Sequence, residues 1–274
     1  MQHPTATAVS TLGRSIAAWA DWYVRMGVLD GVAETVADRR QPDAAVRAPM
    51  ARPTPPPAQA ARRAIGRAGE HAGHARALAA SCGSLTELEA ALQQFDGCAL
   101  KQTATRLCFA DGNPQAKLML IGEAPGAEED RQGKPFVGPS GQLLDRMLAT
   151  IGLNRDTVWI TNIIFWRPPG NRTPTAGEVA VCQPFLERQI ELIRPRHLLF
   201  LGGSAAHALL DVTDGVTRLR GRQFAYQPAG TAEPIPAAVT FHPAYLLRQP
   251  LQKRLVWRDL LTLRQQMEQQ PASP

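Results

Sequence analysis

Four short segments carry the side chains in this sequence best suited to chemistry. The first is Gly122-Glu123-Ala124-Pro125-Gly126-Ala127-Glu128-Glu129-Asp130. It lacks the Gly-Lys-Ser/Thr of a phosphate-binding loop and is too acidic to cradle free phosphates. The second, Gly133-Lys134-Pro135-Phe136-Val137-Gly138, sets one aromatic ring among small residues. The third, Thr161-Asn162, supplies an amide with both donors and an acceptor. The fourth, Phe241-His242-Pro243-Ala244-Tyr245-Leu246-Leu247-Arg248, brings an imidazole. Taken singly, each has an ordinary reading: Phe136 as core, Asn162 as a turn cap, His242 as a structural histidine. Together they make one pocket recipe, an aromatic plate, an amide and an imidazole with carboxylates beside them.

The elements that must position these segments follow from hydrophobic pattern. Short apolar runs at 117–122, 157–164, 197–203 and 237–241 read as strands. Helical spacing at 86–95, 143–151, 179–193, 204–210 and 253–266 places helices between and after them. Strands alternating with helices predict a four-stranded, mostly parallel sheet inside a three-layer α/β/α sandwich. Ligands in such sheets sit at the carboxyl ends of the strands, and the polar, glycine-rich segments all follow strand ends.

The sequence predicts three regions. Residues 1–41 form a helical extension, with Leu12, Ile16, Trp19, Trp22, Tyr23 and Met26 on one stripe. That helix is expected to dock on the core or to bind a partner protein. Residues 42–81 are rich in Pro and Ala, with Ile65 and Leu78 as the large aliphatics of their second half. They are expected to form a disordered linker with a fraying helix in its Ala/Arg part, since so little apolar surface cannot offset ordering entropy. Residues 82–274 form the chemistry-bearing domain.

Of the 274 residues, 44% are hydrophobic and 20% charged, which allows a sizeable core. No apolar run nears the roughly 18 residues that cross a bilayer, and the first residues lack a leader pattern. A cytoplasmic, nucleoid-associated, monomeric protein with no membrane partner is expected. Thirty Lys and Arg against 24 Asp and Glu give +6, which permits a polyanionic partner. Between residues 218 and 259, Arg218, Arg220, Arg222, Arg248, Lys253, Arg254 and Arg258 face only Glu233 and Asp259. Most of the excess is concentrated there.

The set GEAPG…ED, GKPFVG, ITN and HPAYLLR closely resembles the uracil-DNA glycosylase superfamily, most nearly its type 4 branch. The likeness spans roughly residues 95–266, with the four motifs in order and at matching spacing. It implies an α/β/α fold that flips uracil out of single- or double-stranded DNA and hydrolyses its glycosidic bond. On that resemblance Phe136 stacks on the base beside Ala124. Asn162 donates to O4 and accepts from N3–H, and cytosine presents the reverse pattern at those atoms. His242 donates to O2, where charge develops as the bond breaks. Glu123 and Glu129 are the candidates to orient water or to stabilise an oxocarbenium-like sugar, and the sequence does not choose between them. Leu247, in preference to Leu246, fills the hole left by the flipped base, and Arg248, with Arg220 and Lys253, contacts phosphate. The alternative is a non-catalytic or slow-turnover binder of uracil-containing or damaged DNA on the same fold. A relative that traps uracil-DNA covalently carries a basic insertion after the first motif. Here 130–134 run on without one.

The resemblance also implies a [4Fe–4S] cluster on four cysteines. Cys98 and Cys182 match two of those positions, while Phe95 and Trp166 stand at the other two. Cys82 and Cys108 lie at the wrong spacing, although either would have to join Cys98 and Cys182 if a cluster were present. The expectation is no cofactor, with apolar packing around Phe95 and Trp166 in its place. His71, His74, His197 and His207 show no metal-ligand spacing.

Overall fold

Three apolar runs become strands buried at every position: β2 (Leu118–Gly122), β3 (Val158–Asn162) and β4 (His197–Leu201). Burial on both faces explains why they read as continuous apolar stretches rather than as alternation. With β6 (Ile235–Thr240) they form the parallel centre of the sheet. The computed structural model describes residues 58–229 and 233–269, so the expected helix within 1–41 lies outside the described residues. Chain contacts separate residues 1–64 from residues 65–274, and every strand belongs to the second unit.

Among the described residues the sheet has six strands, in the order β1-β3-β2-β4-β6-β5, rather than four. The additions are antiparallel edges. The first is β1 (Asp111–Gly112) on β3, and the second is β5 (Gln223–Tyr226) on β6. Two residues are too few for a sequence pattern. β5 has four residues, QFAY, of which only Tyr226 is buried.

Side chains alternate between the two faces of the sheet. Met119, Ile121, Trp159, Leu198, Phe200, Ala237 and Val239 join a core with α1 (Ala58–Ser81), α2 (Leu85–Gln94) and α5 (Ala176–Ile193). The short helix α6 (Gly203–Leu209) adds Ala205 and Ala206. On the other face, Thr240 donates to Asp259 of α9 (Lys253–Gln269) at 2.7 Å. Helix α4 (Pro139–Ala149) packs beside α8 (Pro243–Arg248), after α3 (Ala127–Gln132) and α7 (Val216–Leu219) have filled shorter connections.

Over residues 58–81 the structure has a continuous helix, α1, where disorder with a fraying Ala/Arg helix was expected. Ala75 and Ala79 are fully buried, and His74 meets the Phe95 ring at 5.6 Å between centroids. Alanine favours the helix and carries no side-chain entropy. Its methyl lets the helix approach the core closely, so large aliphatics are not needed. Residues 42–57 of that expected linker lie outside the described residues.

Candidate active site

The carboxyl ends of β2, β3 and β6 open on one cleft of about 560 Å³. Its lining includes Glu123, Ala124, Glu129, Phe136, Asn162, His242 and Arg248, from all four sequence segments. Gly122 and Asn162 are register partners at the ends of adjacent parallel strands. A Cβ on Gly122 would overlap Asn162 Oδ1 and lie 2.5 Å from Phe136 Cζ. Glycine is therefore required where plate and amide converge.

Asn162 is buried, and its Oδ1 has no hydrogen-bond partner among the described residues. An acceptor without a partner in a buried site is costly, and Asn162 is one of the residues that line the cleft. Phe136 is buried with φ 55°. Its ring lies 5.5 Å from that of His242, with 31° between planes.

His242 caps α8. Its Nδ1 accepts from the Ala244 N–H at 3.1 Å, so a neutral ring carries its proton on Nε2. Burial, and then the Arg248 charge, pull its pKa from 6.5 down to about 4. The ring is a neutral Nε2–H donor at physiological pH.

The two glutamates differ. Glu129 is buried, with Oε2 accepting from Gly126 N–H at 3.1 Å and Oε1 from Gly138 N–H at 2.9 Å. It ties the first motif to the start of α4. The Glu123 side chain is half-buried in the cleft wall, and its carboxylate makes no hydrogen bond or ion pair among the described residues.

Three expected DNA contacts are corrected. Leu246 is fully buried, so it belongs to the core, while Leu247 is 43% exposed. Arg220 turns inward, pairing with Asp259 at 2.6 Å and donating to the Leu255 carbonyl at 2.8 Å. Lys253 is buried at the start of α9. Burial first, then the Arg146 charge, lowers its pKa. Arg218 and Arg222 both pair with Asp214. Part of the basic excess is thus internal or neutralised, whereas Arg248, Arg254 and Arg258 are exposed.

Sequence reasoning missed one wall of the cleft, built by Pro168, Asn171, Arg172 and Thr173. Arg167 Nε donates to Asn171 Oδ1 at 2.8 Å, and Arg172 forms two bonds to Glu178 at 2.6 and 2.9 Å. The signal was present: Arg167-Pro168-Pro169-Gly170-Asn171-Arg172 follows a strand end, as the other motifs do.

The cysteine positions do not fit a four-thiolate cluster. Cys98 and Cys182 lie 3.9 Å apart, sulfur to sulfur, and are buried. The Cys182 hydrogen bond lowers the Cys98 pKa, and the same bond with burial keeps Cys182 protonated. Phe95 is buried against Phe185, and Trp166 against Phe165. Cys82 donates to the Leu78 carbonyl and Cys108 to the Glu129 carbonyl. Burial pushes the Cys108 thiol up to about 12. Four converging thiolates are needed. No group of three or more His, Cys, Asp or Glu among the described residues is placed to hold a metal.

Known proteins give the same picture from another direction. Residues 109–261 match the uracil DNA glycosylase superfamily. The type-4 uracil-DNA glycosylase of Pyrobaculum aerophilum is 36% identical over 180 residues, 64% of this chain and 91% of that protein. That of Archaeoglobus fulgidus is 38% identical over 171 residues, 61% of this chain and 85% of the relative. That of Thermotoga maritima is 39% identical over 172 residues, 62% and 87%. With the cleft at the strand ends and a match over more than half its length, the chain belongs to the uracil DNA glycosylase superfamily.

Proposed function

We propose that this chain excises uracil from DNA by hydrolysing its N-glycosidic bond, leaving an abasic site. The observation that carries this reading is the buried Oδ1 of Asn162, without a hydrogen-bond partner among the described residues, beside the Phe136 ring. A base inside a duplex must be extruded before a pocket can read it. Once extruded, uracil stacks on Phe136 next to Ala124. Its N3–H satisfies Asn162 Oδ1, and its O4 accepts from Nδ2. Cytosine would set an acceptor against Oδ1 and a donor against Nδ2.

The C1′–N1 bond breaks with its electrons moving onto the base, chiefly to O2. The neutral His242 Nε2–H donates to that oxygen without being consumed as a charge, a contribution of about 3 kcal/mol. Water adds to C1′ and loses a proton, and the uracil anion recovers one from solvent. Glu123, whose carboxylate is unpaired among the described residues, is assigned to orient that water and to face the cationic sugar. Glu129 holds the frame, because both its oxygens are taken by backbone amides. Arg248 contacts phosphate at the cleft mouth, and Leu247 is the wedge.

The reaction as assigned uses side chains alone, and we take the chain to work without an iron–sulfur cluster. Among the described residues no helix is long and apolar enough to cross a membrane. A monomer acting on DNA in the cytoplasm completes the proposal.

The deciding assay incubates the full chain with uracil-containing and matched thymine-containing oligonucleotides, single- and double-stranded, followed by alkaline scission. Uracil strands should break only after alkali. Equal products from uracil and thymine strands would sink the reading. Tight binding of uracil-DNA without release of base would favour a binder.

A further inference from the structure

Phe136 is one of three non-glycine residues with positive φ among the described residues. A phenylalanine adopts that left-handed conformation at a cost, and it persists only where surrounding contacts over-determine it. The contacts come from Arg155, which does not line the cleft. Its Nη2 donates to the Phe136 carbonyl, and its Nη1 to the Pro135 carbonyl at 3.3 Å.

The guanidinium is itself held. Nη1 pairs with Asp111 of β1 at 2.7 Å and Nε with Asp145 of α4 at 2.8 Å. On its other side the Phe136 carbonyl meets Gly141, where an added Cβ would overlap that oxygen. The carbonyl is thus clamped between a planar cation and a bare glycine.

Arg155 also opens the short turn Arg155–Thr157 that leads directly into β3, whose last residue is Asn162. Plate and amide are therefore registered through one strand. The Gly122 geometry shows how little room exists between them. Resting on the assignment of Phe136 as the stacking plate, we infer that Arg155 is a positioning residue for base recognition. Its guanidinium sets the depth and tilt of Phe136 relative to Asn162. A displacement of about 1 Å can cost about 10²-fold in rate, so a remote cation can control turnover without touching the base.

The test is a double-mutant cycle on the full chain, with Arg155→Met and Phe136→Ala read by single-turnover excision and by inhibition with free uracil. Arg155→Met should lower the excision rate by about ten- to a hundred-fold and weaken uracil inhibition. It should leave affinity for undamaged DNA unchanged. In the Phe136→Ala background the same change should cost little further, since no plate remains to misplace. Added methylguanidinium should restore part of the activity of Arg155→Ala. If Arg155→Met does not fold, Asp145→Asn removes one anchor of the clamp and should show the same pattern, smaller in size.

If Phe136→Ala keeps wild-type rate and uracil inhibition, the plate assignment falls and the role of Arg155 with it. If Phe136→Ala is impaired but the two losses add in full, the clamp alone is wrong and Arg155 serves only the fold.

Discussion

In the strand-end cleft, polar groups are left wanting. Among the described residues Asn162 Oδ1 has no partner and the Glu123 carboxylate is free, and Phe136 sits in a costly backbone conformation. At the cysteine site the opposite holds. Cys182 donates to the Cys98 sulfur, and Phe95 and Trp166 lie in closely packed aromatic surroundings. Both regions carry positions that the family resemblance marks as functional. One keeps unmet hydrogen-bonding capacity, which a ligand can complete. The other is packed with apolar contacts, which stabilise the fold.

The largest effect that could break this contrast is in stability. Phe95→Ala should destabilise the chain by about 3–5 kcal/mol, as expected for a buried aromatic removed from a packed core. It should leave the excision rate near wild type at temperatures where the variant is folded. Denaturant unfolding and single-turnover assays check the two halves. A large rate loss at full folding would mean that the cysteine region takes part in function.

His242→Ala should show the converse. It should lower turnover by about 10²- to 10³-fold with little change in the denaturation midpoint, and Asn162→Asp should lose uracil recognition. Wild-type rates in both would move the active site elsewhere.

The replacement of Cys98 and Cys182 together by alanine should leave activity within about threefold, on the view that the pair only packs. Purified wild-type protein should carry no broad absorbance near ~400 nm of the kind four thiolates on iron produce. Near-stoichiometric iron and sulfide after anaerobic purification would overturn the contrast.

Helix α8 repeats the comparison on a smaller scale. Leu247→Ala should slow excision from duplex several-fold more than from single strands, because only a duplex has a stack to refill. Leu246→Ala should lower stability instead, by about 2–5 kcal/mol. Arg248→Ala should weaken binding to all DNA and reduce the salt slope by about 1. Equal losses on both strand forms for Leu247→Ala would remove the wedge.

The finest effect is in pH. Because the folded pKa of His242 is about 4, below its ordinary 6.5, the unfolded chain binds the extra proton first as pH falls. The contribution of the neutral ring to stability is complete above 6.5 and is lost as pH falls through about 4. Imidazole NMR signals of His242 should stay in the neutral form at pH 5.5. A titration midpoint near 6.5 would show that the ring is solvated and not a preorganised donor.

The central strands and the motifs at their ends were legible in the sequence. A strand buried on both faces must be an apolar run. Other features depended on partners far along the chain. Whether Arg220 met DNA or Asp259, 39 residues away, could not be read locally. Only the three-dimensional fold tells Leu246 from Leu247, since adjacent leucines have the same composition and opposite exposure. The same holds for Glu123 and Glu129, separated in role by two backbone amides that turn geometry delivers to one of them. The antiparallel edge strands are too short to show a period, and they form because a finished core presents them with a place to pack.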